Sequence, residues 1–126
     1  MSQLYSLVPL PRGEFRGLDP VTRMIFGFIY DRYKLSSYNA MGGDAAFYDP
    51  IEEEYFCVFN QNELAELVGV SERTVRRSLD QLRVKEMVWW RKATYKGANR
   101  YYVAEHIRKY LRPGLSGQIV TAIRSD

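Results

Sequence analysis

Three arginines stand close together in the stretch GVSERTVRRSLDQLRVKEMV at residues 69–88, at the start of a predicted helix. These residues are Arg73, Arg76 and Arg77. A guanidinium group is a planar cation with several N–H donors, suited to phosphate and to the edge of guanine. An ordinary surface helix has no need of three such groups on its first two turns. The cluster therefore indicates an anionic ligand, which the unpaired amides of a helix N-terminus also favour.

Positive charge is concentrated in the same part of the chain. Residues 1–70 carry 5 Lys and Arg against 10 Asp and Glu, a balance of −5. Residues 71–112 carry 12 against 4, a balance of +8, although the net charge of the 126 residues is only +3. A basic stretch that also contains Trp89 and Trp90 is typical of phosphate binding, so we predict nucleic acid as the partner.

The arginines are positioned by a predicted helix-turn-helix. Asn60, with Glu63 three residues later reaching back to it, forms a capping-box pattern for a helix of about 60–68 in which Leu64, Leu67 and Val68 face inward. Gly69 ends this helix, and Ser71 caps a second one of about 72–86. The predicted buried side of the second helix comprises Val75, Ser78, Leu79, Leu82 and Glu86. The arginines are then left on the solvent side, in the half of the helix that enters the major groove in such proteins.

Two predicted strands, MVWWRKA and RYYVAEH, follow the second helix around the loop TYKGAN. A helix-turn-helix followed by a two-stranded hairpin predicts a winged helix: an α+β, mainly α fold with an N-terminal arm. Alternation along the strand lets only one of Trp89 and Trp90 face inward. We expect the hairpin cations to contact the DNA backbone. The complete predicted DNA-binding set is Ser71, Arg73, Thr74, Arg76, Arg77, Arg91, Lys92, Lys96, Asn99 and Arg100.

The remaining segments complete one domain at 1–112. Asp19 and Pro20 begin a helix of about 20–35, and 55–59 is a short strand. Residues 37–54 form a long acidic loop or irregular hairpin, whose carboxylates we expect to lie away from the DNA surface. A short helix at about 104–111 directs Ile107 and Leu111 inward. The tail at 113–126 is a last short helix, a dimer contact or the start of a missing domain.

Several functional classes are excluded by composition. A single cysteine, Cys57, and a single histidine, His106, exclude a disulfide framework and argue against a zinc site. We find no catalytic pairing and no phosphate-cradling glycine motif, so we predict neither enzymatic activity nor a cofactor. The longest apolar stretch, MIFGFIY, is too short to span a membrane, and the N-terminus lacks the features of a signal peptide. The protein is therefore expected to be soluble and cytoplasmic.

The segment YSLVPLPRGEFRGLDPVTRMIFGFIYDRYKLSSYN resembles the opening of the RepA_N family of plasmid replication initiators. In that family a short strand and a Leu-Pro pair precede a helix with a DR…LS signature, here Asp31, Arg32, Leu35 and Ser36. The hairpin YKGANRYYV is also similar to that of the family, and the resemblance covers about residues 4–105. It implies binding to repeated double-stranded DNA sites at a plasmid origin, usually as a homodimer. It also implies contacts with host replication proteins through a C-terminal domain absent from these 126 residues.

Two other interpretations remain open at this point. The stretch at 69–88 is also similar to winged-helix transcription regulators of the GntR type, which bind promoters rather than origins. A winged helix that binds only proteins is the second alternative. It predicts that acidic groups break up the basic region across the second helix, whereas residues 71–112 keep a balance of +8.

Overall fold

A computed structural model describes residues 4–41, 47–92, 98–111 and 119–125, with side chains for 8–37, 47–92 and 98–111. The helices are α1 (Pro20–Met41), α2 (Gln61–Val68), α3 (Glu72–Val84) and α4 (Glu105–Tyr110), with a 3₁₀ turn at Gly13–Phe15. The strands are β1 (Leu4–Pro9), β2 (Tyr48–Asp49), β3 (Glu54–Tyr55), β4 (Cys57–Phe59), β5 (Val88–Lys92), β6 (Asn99–Val103) and β7 (Ile119–Ser125). The fold is α+β and mainly α, as predicted.

Helix α1 begins where the sequence predicts and runs further. The Asp19 carboxylate accepts a hydrogen bond from the backbone N–H of Thr22 at 2.8 Å, which caps the helix. The helix continues to Met41 rather than ending near residue 35. Residues 36–41 contain neither glycine nor proline, and the next glycines along the sequence are Gly42 and Gly43.

The helix-turn-helix forms with its predicted caps. The Asn60 side chain accepts from the backbone N–H of Glu63 at 2.7 Å, and Ser71 Oγ accepts from that of Thr74 at 3.2 Å. Gly69 ends α2 in the left-handed conformation, with φ of 82°. The Glu63 carboxylate, expected to reach back to the cap, instead pairs with Arg32 at 2.9 Å.

Two residues that the sequence analysis placed inside are exposed. Helix α3 ends at Val84, so Glu86 lies beyond it with φ of 57° and is exposed, where burial was predicted. Leu67 of α2 is 37% exposed rather than inward. The other predicted inward residues of α3, namely Val75, Ser78, Leu79 and Leu82, are buried.

The wing belongs to a three-stranded antiparallel sheet in the order β4-β6-β5. In this sheet Trp89 is opposite Tyr102 and Trp90 is opposite Tyr101. Tyr101 lies in the core and Trp90 packs against it, whereas Trp89 stacks on Tyr102 on the outer face, with ring centroids 3.9 Å apart. One tryptophan therefore faces inward, as alternation requires.

The acidic segment includes an ordered hairpin on the outer face of this sheet. The single strand expected at 55–59 is divided at Phe56: β3 pairs with β2, and β4 pairs with β6. The hydroxyl of Tyr102 donates to the Asp49 carboxylate at 2.8 Å, and both residues are buried. Phe56 lies beside Tyr102, with ring centroids 5.9 Å apart. These contacts fix the β2–β3 hairpin against the wing sheet.

The N-terminal arm and the tail pair with each other. Strands β1 and β7 form an antiparallel two-stranded sheet, from Leu4 opposite Ser125 to Pro9 opposite Ile119. The tail segment expected as a helix, a dimer contact or the start of another domain is thus a strand over Ile119–Ser125. Arg23 of α1 anchors the arm by donating to the carbonyl oxygens of Pro9 at 3.1 Å and Leu18 at 3.2 Å.

The core lies between α1, α3 and the inner face of the sheet, and Ile107 and Leu111 at the α4 end contribute to it as predicted. Its largest fully buried members include Phe15, Phe26 and Tyr101. Within the part of the chain that the structure describes, no helix is long and apolar enough to cross a membrane.

Candidate nucleic-acid interface

Helix α3 is held against α1 by packing and by one buried polar contact. Val75, Leu79 and Leu82 are fully buried in the core. The Thr22 hydroxyl of α1 donates to the Ser78 hydroxyl of α3 at 2.8 Å, with both side chains almost inaccessible to solvent. A buried hydrogen bond between two helices restricts rotation as well as separation, so it fixes which face of α3 points outward.

The three arginines project from that outward face. Arg73, Arg76 and Arg77 are exposed, and none forms an ion pair with any residue for which the structure gives a side chain. Of the three arginines, Arg77 also acts on a neighbouring carboxylate, that of Asp19. The backbone N–H of Thr22 holds the pKa of Asp19 below its usual value, and the positive charge of Arg77 lowers it further. The guanidinium groups are thus available to an external anion.

Ser71 and Thr74, both predicted to contact DNA, form the N-terminal cap of α3. Ser71 Oγ accepts from the Thr74 backbone and donates to Thr74 Oγ1 at 3.1 Å. Ser71 is exposed and Thr74 is half-buried. The pair therefore sets the start of the helix and remains at its accessible end, beside Arg73.

The cations of the wing are in four different situations. Arg91 forms an ion pair with Glu52 of the acidic hairpin and lies 5.7 Å from the ring centroid of Trp89. Arg100 lies over the ring of Phe56, 4.5 Å from its centroid. Lys92 is exposed, and Lys96 lies outside the described residues. The two arginines are thus preordered on the outer face of the sheet.

Asn99, also counted among the predicted DNA contacts, is buried. Only 7% of its surface is exposed, and its side-chain amide donates to the Tyr101 hydroxyl at 3.2 Å. Its position in the loop-strand sequence indicated a surface residue, but it occupies the inner face of β6. The amide stabilises the base of the wing in this conformation and does not point to solvent.

The ion pairs of the acidic hairpin are the feature of this surface that the sequence did not predict. Glu52 pairs with Arg91, and Glu54 pairs with Arg108 of α4 at 3.0 Å. Two carboxylates expected to lie away from the DNA surface therefore neutralise cations of the wing and its neighbour. The excess of acid before residue 70 and of base after it is the only sequence signal for this pairing.

Other chemistry finds no support in the described part of the chain. No group of three His, Cys, Asp or Glu side chains there could hold a metal ion. Cys57 is fully buried and its Sγ lies 3.5 Å from the Ile29 carbonyl oxygen. Burial raises the pKa of this thiol to about 12, so it is not a nucleophile near neutral pH.

The fold has counterparts among solved structures. No protein-family model matches this chain, and no curated protein matches it either. A structure described as the N-terminal domain of a DNA-binding protein aligns with a TM-score of 0.56 at 14% identity, covering 75% of this chain and 66% of that one. A Rep–DNA complex gives 0.55 at 14%, covering 73% and 65%. An MDR initiator gives 0.54 at 13%, covering 85% and 73%.

The chain thus spans slightly less than two thirds of the first two structures. At these identities the likeness concerns the fold alone. This chain has the α+β fold that is seen in these DNA-binding and initiator structures.

Proposed function

We propose that this chain binds double-stranded DNA sequence-specifically and serves as the DNA-binding domain of a plasmid replication initiator of the RepA_N type. Its role is recognition without catalysis, in the cytoplasm. The observation that carries the proposal is the outward face of α3. Three arginines without ion-pair partners among the described side chains stand there on a helix whose orientation a buried hydrogen bond fixes.

The chemistry of that face fits the major groove. A recognition helix contacts base edges with its N-terminal residues, and Arg73, Thr74 and Arg77 occupy those turns of α3. Arginine bonds the O6 and N7 atoms of guanine in a bidentate manner, so Arg73 and Arg77 are assigned to bases. Arg76, on the flank, is assigned to phosphate.

The wing supplies backbone contacts in this proposal. Lys92 and Lys96 would bind phosphate, which positions the domain without reading sequence. Arg100 is held on the outer sheet face by Phe56, and Arg91 is shared with Glu52. Arg91 would therefore contribute to phosphate binding only to the extent that DNA displaces the carboxylate.

Two copies on adjacent repeats follow from the size of the interface. A single winged-helix module buries about 600–1,000 Å² on DNA, less than most high-affinity specific complexes. Paired copies one helical turn apart would double the base contacts without new chemistry. The tail, which the sequence offered as a dimer contact, pairs with the arm of its own chain as β7 and β1. Contacts with host replication proteins would belong to a separate C-terminal domain.

A transcription regulator of the GntR type is the alternative with the same DNA chemistry. The two functions differ in where the sites lie: clustered repeats in a replicon origin, or single operators at promoters. The similarity of the fold to an MDR initiator favours the first.

The test is a gel-shift of the full 126-residue chain against a fragment library from the source replicon and host, followed by footprinting. The variant R73A/R76A/R77A should lose specific binding. K109A is the charge control, because Lys109 is an exposed cation on α4 paired with Glu105 at 3.1 Å. Retention of specific binding by the triple variant, or equal affinity for every fragment, would contradict the proposal.

A further inference from the structure

Two large apolar side chains are almost fully exposed to solvent. Ile51 is 86% exposed and Val84 is 78% exposed. Single exposed apolar residues are normal, so exposure alone assigns nothing. What distinguishes this pair is that one stands on a rigid projection and the other lines a groove.

Ile51 is the tip of the β2–β3 hairpin. The Asp49 carboxylate accepts from the backbone N–H groups of Ile51 at 2.9 Å and Glu52 at 3.2 Å, which closes the turn. The hairpin base is fixed to the sheet by the bond from Tyr102 to Asp49 and by the ion pair of Glu52 with Arg91. Ile51 is therefore presented as a rigid apolar knob, beside the exposed carboxylate of Glu53.

Val84 lines an open groove of about 350 Å³ between α3 and the turn before α1. Leu18 and Gly17 form the opposite wall, and Arg77 and Lys85 lie on the rim. Lys85 Nζ donates to the carbonyl oxygen of Arg16 at 2.8 Å, which holds the turn against the helix. Asp80, also in the lining, is already paired with Arg83 at 2.8 Å. The groove is thus apolar inside with a basic rim.

The knob and the groove lie on different sides of the molecule. The hairpin packs on the outer face of the wing sheet, whereas the groove opens on the solvent side of α3. The core separates the two, because the buried side of α3 and the inner face of the sheet both pack into it. A contact between knob and groove can form only between two copies. Such a contact is heterologous, so it repeats in one direction along a series of copies.

We propose that the Ile51 hairpin of one copy docks into the Val84 groove of the next, and that this contact aligns copies head to tail on direct DNA repeats. Ile51 would lie against Leu18 and Val84, with Glu53 facing the cation of Lys85. Charge favours this occupant: the hairpin carries the exposed carboxylate of Glu53 at its tip, and the rim carries the cation of Lys85, which is not among the predicted DNA contacts. The inference rests on the proposed DNA function for its biological setting, but the contact itself does not require DNA.

The contact is small, so it acts mainly between copies that are already close. One buried isoleucine is equivalent to a gain in affinity of about tenfold or somewhat more. Adjacent sites on one duplex supply an effective concentration in the millimolar range, at which such a gain becomes visible as cooperativity. At micromolar concentration without DNA, this contact is too weak to hold two copies together, so it should produce no dimer in sedimentation.

Disulfide trapping tests the contact without reference to any DNA sequence. I51C and V84C variants are mixed under oxidising conditions at about millimolar concentration, which matches the effective concentration of two copies on adjacent sites. The mixture should give a crosslinked pair at least about tenfold faster than either variant alone, the margin expected for one buried isoleucine. L35C mixed with I51C is the matched control, because Leu35 is another exposed apolar residue, 59% accessible, on α1. Native Cys57 is buried and does not compete. A rate no higher than that of the control mixture would overturn the proposal.

Binding to a duplex with two direct repeats supplies the second measurement. The I51S variant should keep its affinity for a single site and lose about tenfold in cooperativity, and insertion of half a helical turn between repeats should abolish cooperativity in the native chain. Undiminished cooperativity in I51S would exclude this contact. If specific DNA binding itself failed, the trapping result would still decide whether the knob and the groove meet.

Discussion

The buried hydroxyl pair between Thr22 and Ser78 gives the sharpest test of how α3 is oriented. Thr22→Val keeps the shape of the side chain but removes the hydroxyl, leaving Ser78 Oγ without the partner it has at 2.8 Å. Because Thr22 is 0% and Ser78 1% exposed, water cannot replace the lost bond. An unsatisfied buried hydroxyl costs about 1–3 kcal/mol of stability.

Ser78→Ala has the converse effect and should cost a similar amount. The double variant removes both hydroxyls, so no buried polar group is left unpaired and the cost should be well below the sum of the two single costs. The expected coupling is about 0.5–3 kcal/mol. Equilibrium unfolding in urea measures all three, with unchanged m-values showing that the midpoint shift reports stability.

The matched control is Ser37→Ala, a half-buried serine of the same helix α1, which should change stability by no more than about 0.5 kcal/mol. Strictly additive costs in the double variant would refute the reasoning. They would show that each hydroxyl is satisfied within its own helix and that the pair does not orient α3.

Three further predictions concern the residues around this framework. Glu52→Gln should change the free energy of unfolding by at most about 1 kcal/mol, because the ion pair with Arg91 is partly exposed. Because the variant releases Arg91 for phosphate, the slope of DNA affinity against salt concentration should steepen by about one unit. An unchanged slope would show that Arg91 makes no phosphate contact. Arg32→Lys should cost about 1–2 kcal/mol in urea unfolding, since a single ammonium nitrogen would replace the two nitrogens, Nη1 and Nη2, that bond the Val58 carbonyl and Glu63 separately. Burial favours the neutral thiol of Cys57 and raises its pKa, so the contribution of the thiol to stability is complete below the ordinary pKa of 9.0 and is lost as pH rises towards about 12. Ellman's reagent at pH 8 should therefore label Cys57 only after unfolding. Rapid labelling of the native chain would contradict the burial of Cys57.

The parts of the fold that the sequence predicts well depend on local interactions. Caps such as Asn60 and Ser71 bond to a backbone amide three residues away, so the signal and its partner lie in the same short window. That only one of Trp89 and Trp90 faces inward follows from alternation along one strand. Arg73, Arg76 and Arg77 are exposed because the opposite side of the same helix carries the apolar residues.

The parts that the sequence does not predict depend on partners far along the chain. The hydrogen bond between Tyr102 and Asp49 joins residues 53 positions apart, and no local pattern specifies it. The sequence therefore predicts Arg91 as a DNA contact and does not predict its ion pair with Glu52. Asn99 is predicted as a DNA contact in the loop of the hairpin, and its burial follows from the β4-β6-β5 order, which no single strand reveals.

Helix boundaries were the other source of error, and both errors concern where a helix stops. Helix α1 continues beyond its amphipathic pattern because residues 36–41 contain no glycine or proline. α3 stops at Val84, where the backbone turns through Lys85 into the positive φ of Glu86. The spacing of residues along the sequence does not show such a turn, so the helical pattern predicts Glu86 on the buried side.

A set of single-base variants of the footprinted site measures whether α3 reads base sequence through its arginines. Native chain, R73A, R77A and K109A are titrated against every variant at one fixed salt concentration. R73A and R77A should each lose about 1–3 kcal/mol of discrimination at one or two positions, differing between the two arginines, while K109A keeps the native profile. A uniform loss across all positions for R73A and R77A would show that these arginines bind phosphate only, and would contradict the assignment of α3 as the recognition helix.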